Sequence, residues 1–163
     1  MKSRGETKKK AAVAGDPEAL LAEFIAKFTP AHAQLIIDCR AELRQLLPGA
    51  LELVYDNYNF FVIGYSASER SSDCILSLAA AANGVGLSFY YGATLPDPDQ
   101  LLQGSGSQNR FLRLPTVEGL RNTGVLALIR AAVAQARTPL PSQGGSRTII
   151  KSISAKQRPR RKT

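Results

Sequence analysis

The stretch CILSLAAAANGVGLSFYYG, Cys74 to Gly92, decides the fold. Two apolar runs alternate with small or polar residues on either side of Asn83-Gly84, and Asn-Gly supplies the positive backbone angles that a two-residue hairpin turn needs. A period of two puts Leu76 and Leu78 on one face with Leu87 and Phe89. It leaves Ser77, Ala79, Gly86, Ser88 and Tyr90 on the other, which is small and half polar. An antiparallel sheet packed on one side and lightly built on the other is the expectation.

Upstream, the polar SASERSSD loop joins this hairpin to FFVIGY, Phe60 to Tyr65, a second strand signal. Before the turn Asn57-Tyr58-Asn59, Leu51, Leu53 and Tyr55 alternate with Glu52, Val54 and Asp56, and the carboxylates mark a wetter face. Two helices precede the strands. Asp16-Pro17-Glu18 combines an N-cap, a proline at the first helical position and a carboxylate at the positive end of the helix dipole. Leu20, Leu21, Phe24, Ile25 and Phe28 follow at helical spacing. Thr29-Pro30 repeats the start signal, and Leu35, Ile36, Cys39, Leu43, Leu46 and Leu47 form the stripe of a helix that Pro48-Gly49 ends.

Downstream, FLRL (Phe111 to Leu114) reads as a fifth strand, and Asn122 or Thr123 caps a last helix with Leu126, Ile129, Ala132, Val133 and Ala136 inward. The order ααβββββα places the chain in the α+β class. It predicts a two-layer sandwich: an antiparallel sheet of about five strands with helices on one face.

The net charge of +8 is unevenly spread. Residues 1–15 carry five basic and one acidic residue, 137–163 eight basic and none acidic, and 16–136 eight basic and twelve acidic. The domain itself is thus acidic, and the positive charge lies in its ends. Both ends are poor in large apolar side chains, so disordered basic tails are expected at 1–15 and 137–163, flanking a folded domain at 16–136. Such tails predict salt-sensitive, sequence-blind attraction to nucleic acid or anionic surfaces. No apolar run approaches the roughly 20 residues that span a bilayer, and the N-terminus lacks the apolar core of a secretory signal, so no membrane partner is expected. Cys39 and Cys74 are the two cysteines and form no CxxC pattern. They read as buried thiols of a cytoplasmic protein.

The loop LLQGSGSQNR, Leu101 to Arg110, has the residue types of a phosphate cradle but neither a Walker lysine nor a following helix. Asp97-Pro98-Asp99-Gln100 has the form of a capping box, which predicts one or two helical turns ending at a left-handed Gly104. What remains for ligand chemistry is an anion nest of Ser105 and Ser107 beside Arg110, with Tyr90 and Tyr91 lining a cleft. His32 is the single histidine and has no partner at metal-ligand spacing, so an exposed helical position is expected and no catalytic residue is assigned. Carboxylates offer a second candidate. Glu18 and Glu23 on the first helix, Asp38 and Glu42 on the second, and Asp56 with Glu52 on the first strand could hold a hard cation through oxygen ligands.

The runs PGALELVYDNYNFFVIGYSASERSSDCILSLA, VGLSFYYGATLPDPDQLLQGSGSQNRFLRL and ALIRAAVAQA together resemble the bacterial YdhG-like family, over about residues 16 to 136. The most specific features are the acidic-aromatic segment after PGA, the LPDP turn and the Leu101–Leu114 stretch with its GSG and two arginines. The resemblance implies an α+β sandwich of frataxin-like layout. It also implies an intracellular iron chaperone among its relatives, supplying iron to proteins of iron–sulfur cluster or haem assembly. A non-catalytic cytoplasmic accessory protein, with iron as its cargo, is therefore the first functional expectation. A nucleic-acid or anion binder acting through basic tails is the second. A small-molecule pocket or undetected enzyme around the 92–110 loop is the third, and a dimer formed through the light outer face of the sheet is compatible with each.

Overall fold

A computed structural model describes residues 15–142 and 146–162. Two helices, α1 (Pro17–Ala26) and α2 (Pro30–Leu46), lead into strands β1 (Leu51–Asp56), β2 (Phe61–Ser66), β3 (Cys74–Ala81), β4 (Gly84–Phe89) and β5 (Arg110–Arg113). Helix α3 (Thr123–Gln135) and a last strand, β6 (Thr148–Ile153), complete the chain.

Each helix starts where its sequence signal stands. Asp16 accepts from the N–H of Glu18, Thr29 from that of His32, and Asn122 from those of Gly124 and Val125, with Pro17 and Pro30 at first helical positions. The β3–β4 hairpin forms, one residue earlier than expected: Ala81 pairs with Gly84, so Ala82 and Asn83 make the turn, Gly84 takes φ +138° at the head of β4, and Leu76 and Leu78 face Phe89 and Leu87. These four residues are buried beneath the helices.

The sheet has six strands in the order β5-β4-β3-β2-β1-β6. All neighbours are antiparallel except β1 and β6, which run parallel, so the sheet is mixed and not the five-stranded antiparallel one expected. The added strand comes from the region expected to be a disordered tail, 137–163. Its TIIKSI core is rich in β-branched residues, and Thr148 and Ile150 share the face beneath the helices: Ile150 enters the main core, while Thr148 bonds to the carboxylates of Glu18 and Glu52. The segment after β6 is also held. Ser154 N–H and Gln157 Nε2 donate to the carbonyl of Asp56, and Arg158 N–H donates to that of Tyr58. Arg161 reaches the carbonyls of Ala26 and Lys27 at the C-terminal end of α1, where a cation complements the helix dipole. The tail expected at 1–15 lies outside the described residues, apart from Gly15.

Strand β1 is turned over relative to expectation. Glu52, Val54 and Asp56 stand opposite Tyr65, Ile63 and Phe61, on the face that meets the helices, and both carboxylates have no exposed surface. Leu51, Leu53 and Tyr55 occupy the outer face. Tyr55 Oη hydrogen-bonds Ser71 Oγ there, so the loop after β2 folds back over that side. Two buried carboxylates would be prohibitive alone, and they persist because cations arrive from three other segments. Arg40 Nη2 lies 2.9 Å from Glu52 Oε1, and Tyr65 Oη donates to Glu52 Oε2 at 2.9 Å. Lys27 Nζ and Arg160 Nη2 sit 2.7 Å and 3.0 Å from the two oxygens of Asp56.

Candidate ligand-binding cleft

A cleft of about 500 Å³ opens where the start of β3, the turn after β4 and the last turn of α3 meet. Each wall follows from local chemistry. The polar loop after β2 cannot be buried, so it runs over the surface and closes with a 3-10 turn, Ser71–Asp73, that aims the chain into β3. Below it, Cys74, Ile75 and Ala132 form a buried floor. The second wall is the turn Gly92–Thr94, drawn tightly against β5. A Cβ on Gly92 would come within 2.5 Å of Arg110 Cβ and 2.9 Å of Arg110 N, so only glycine allows that approach. Helix α3 supplies the third.

The polar groups of the cleft fall into two sets. One is internally satisfied. The Thr94 hydroxyl lies 3.0 Å from both the Tyr91 carbonyl and Gln135 Oε1, and Gln135 Nε2 donates to the same carbonyl at 3.1 Å, locking the turn to α3. Asp73 accepts from Ser68 Oγ at 2.6 Å and Thr138 Oγ1 at 3.1 Å. The hydrogen bond from Ser68 is the chief cause that holds the Asp73 carboxyl below its ordinary value, so it is ionised and already occupied at neutral pH. The other set forms no salt bridge among the described residues: Arg70 and Arg137 line the cleft, and Arg70 acts on the Asp73 carboxylate only through space. The Cys74 thiol is pushed up to about 11 by burial, which leaves only about one thiolate in ten thousand at pH 7.

Of the residues singled out for a ligand, Tyr91 lines this cleft, and Tyr90 packs edge-on against it at 4.9 Å with its ring half exposed. Arg110 does not face the cleft. Its guanidinium donates to the carbonyls of Gly106 and, at 2.8 Å, Asn109, tying together the loop that carries it. Ser105 and Ser107 are exposed on that loop. The helical turns expected at 97–103 do not form. Asp97 uses both carboxylate oxygens on the N–H groups of Leu101 and Leu102 at 2.9 Å, which closes a turn. Gly104, at φ +114°, then swings the chain so that Gln103 pairs with Phe111.

The carboxylates considered for a cation are dispersed. Glu18 is 2.7 Å from Arg40, Asp56 lies between Lys27 and Arg160, and Glu42 accepts from Arg121 Nε at 3.1 Å. Asp38 accepts from Gln34 at 2.8 Å, and Glu23 is exposed on α1. Among the described residues no three His, Cys, Asp or Glu side chains converge. His32, expected to be exposed, is half buried with its Nδ1 enclosed and without a hydrogen-bond partner among the described residues.

Arg70, Asp73 and Arg137 were not legible as a site. They lie in two segments up to 67 residues apart, and Arg137 falls in the region that composition assigned to a tail. No helix of the described residues is long and apolar enough to cross a membrane. Compared with models of protein families, with curated proteins and with solved structures, the chain matches none.

Proposed function

We propose that this protein is a non-catalytic binding protein whose ligand is a small molecule bearing a carboxylate or phosphate, held in the cleft between Arg70 and Arg137. One observation carries the reading: two arginines that form no salt bridge among the described residues border a cleft of about 500 Å³ with an apolar floor of Ile75 and Ala132. An anionic group would take the guanidinium charge and the rest of the molecule would cover the floor, the usual division of labour in a ligand pocket. The non-catalytic part rests on the ionisable groups of the cleft, a thiol held protonated and a carboxylate engaged by two hydroxyls. A protonated thiol is a poor nucleophile, and a carboxylate held below its ordinary value with a hydrogen bond on each oxygen is a weak base.

We infer a YdhG-like domain of frataxin-like layout, extended by one parallel strand, and what supports it is the set of motifs quoted above together with the two-helix, sheet and helix order. Iron handling gains no support from the geometry, because Glu18, Asp56 and Glu42 are spent on Arg40, Lys27, Arg160 and Arg121, and Glu23 and Asp38 do not converge with them into a ligand cluster among the described residues.

The test is a ligand titration on the full chain followed by 1H–15N NMR, using a panel of mono-, di- and tricarboxylates and sugar phosphates. The expected result is saturable shifts at Ile75, Gly92 and Ala132 for a subset of the panel, weakened about tenfold or more in Arg70→Ala and Arg137→Ala. The absence of any saturable shift at roughly 10 mM ligand would sink the proposal, since even millimolar affinity would then be visible.

A further inference from the structure

A second surface lies at the opposite character extreme from the cleft, and it uses residues that the cleft does not. The turn between β1 and β2 exposes two aromatic rings, Tyr58 at 48% and Phe60 at 50%. Neither is held back from water by the fold, although each has apolar area worth burying. The C-terminal segment is fastened to this turn by the bond from Arg158 N–H to the Tyr58 carbonyl at 2.8 Å. That contact places the Arg158 guanidinium 5.8 Å from the centre of the Tyr58 ring. A groove of about 260 Å³ runs beside Phe60, between Asn59, Asn83, Arg158 and Lys162.

Charge concentrates on the same segment. Residues 146–162 hold seven basic and no acidic side chains. Four are spent on the fold: Arg147 and Lys151 on Glu69, Arg160 on Asp56, and Arg161 on the end of α1. Lys156, Arg158 and Lys162 have no carboxylate partner among the described residues, and all three are exposed. Rings that stand free, with cations fixed beside them, are the elements of a platform on which unpaired bases stack while phosphates are neutralised. A duplex cannot use the rings, because its bases already stack on each other.

We propose that Tyr58 and Phe60, with Arg158 and Lys162, form a binding surface for single-stranded nucleic acid. It stands independently of the small-anion cleft, and either proposal can fail without the other. It also differs from attraction through a flexible tail. The cations are held against the sheet by β6 and by Arg160, so position and not only net charge decides what binds.

The test uses the full chain and fluorescein-labelled dT20, rU20 and a mixed-sequence 20-base-pair duplex, followed by fluorescence anisotropy at several salt concentrations. Both single strands are expected to bind more tightly than the duplex, with dT20 against rU20 reporting any preference for DNA or RNA. Phe60→Ala and Tyr58→Ala should each weaken single-strand binding about tenfold and leave duplex binding unchanged, and Tyr58→Phe should restore it. Arg158→Ala and Lys162→Ala should each flatten the dependence of log K on log salt by about 0.7, the contribution of one phosphate contact on a single strand. All four side chains are surface residues, and unchanged melting curves show that the variants fold. Equal binding of strand and duplex, indifferent to the aromatic substitutions, would overturn the proposal in favour of sequence-blind charge attraction. Failure of dT20 and rU20 to bind at 50 mM salt or below would overturn it altogether.

Discussion

Arg160 donates to the carboxylate of Asp56 at 3.0 Å across 104 positions of chain, and neither side chain has more than 2% of its surface exposed. The same guanidinium group donates to the carbonyl of Asn57 at 2.6 Å. A residue three places from the C-terminus is therefore part of the core of β1, and removing it leaves a buried charge to Lys27 alone. Arg160→Ala should destabilise the fold by about 3 kcal/mol, the lower part of the range for breaking a buried pair because one cation remains. Urea unfolding measures this. Ending the chain at Ser142 should cost more, since β6 and its Ile150 go too. A truncated chain that melts with the parent would refute the role assigned to the C-terminal segment.

Stability should fall steeply in acid. Burial opposes the charged form of Asp56, yet hydrogen bonds led by that from Lys27 outweigh it and hold the carboxyl below its ordinary value. The hydrogen bond from Arg40 does the same for Glu18. A depressed folded pKa means that the stabilisation is complete above about pH 4, the unfolded value, and is lost as pH drops through the folded one. At the other end, burial raises Tyr65 well above its ordinary value, and the buried thiols of Cys39 and Cys74 to about 12 and about 11. Those contributions are complete below the unfolded thiol value and are lost as pH rises beyond about 9. Melting temperature plotted against pH should show a plateau between these limits, and a curve still flat at pH 3 would contradict the ion pairing on β1.

The two cysteines should differ in labelling. Cys74 borders the cleft, while Cys39 is fully buried in α2. With its thiol near 11, Cys74 should react with a disulfide reagent at pH 7.5 a few hundredfold more slowly than free cysteine, following its thiolate fraction. Cys39 should react only on unfolding. Fast modification of either in the native protein, timed by absorbance, would show that burial does not hold the thiols as described.

Gly49 is a further test of how the C-terminal region is tied down. It has φ +86°, and a Cβ there would fall 2.3 Å from the carbonyl oxygen of Pro141. Gly49→Ala adds left-handed strain to a backbone collision, so a loss of about 2 kcal/mol is expected. Gly106 meets nothing within 4 Å, and Gly106→Ala serves as the control with little effect. Equal melting temperatures for the two variants would show that Pro141 does not pack on this turn.

Much of the framework is local and could be derived from the chain alone. The three helix starts rest on a cap and its nearest N–H groups, and the β3–β4 hairpin is placed to within one residue by Asn83-Gly84 and a period of two. The core faces of those two strands follow, because an alternating strand with one apolar side has a single sensible orientation. Strand β1 does not have that property. Leu51, Leu53 and Tyr55 compete with Glu52, Val54 and Asp56, and alternation alone puts the carboxylates outside. They are inside because Arg40, Lys27 and Arg160 reach them from positions 12, 29 and 104 residues away, and a buried carboxylate is tolerated only when such partners arrive. Strand β6 was hidden by averaging: TIIKSI is six residues in a long polar, basic stretch, and its pairing with β1 is non-local. The cleft is wholly tertiary, because its arginines, floor and turn come from segments that no short-range pattern connects. What the chain determines by itself is the part whose energy is local and uncontested, the three helix caps and the alternation of β3 and β4. What only the folded structure decides is which charges meet, since an ion pair between distant residues has no signature in sequence until the core brings its partners within a few ångströms.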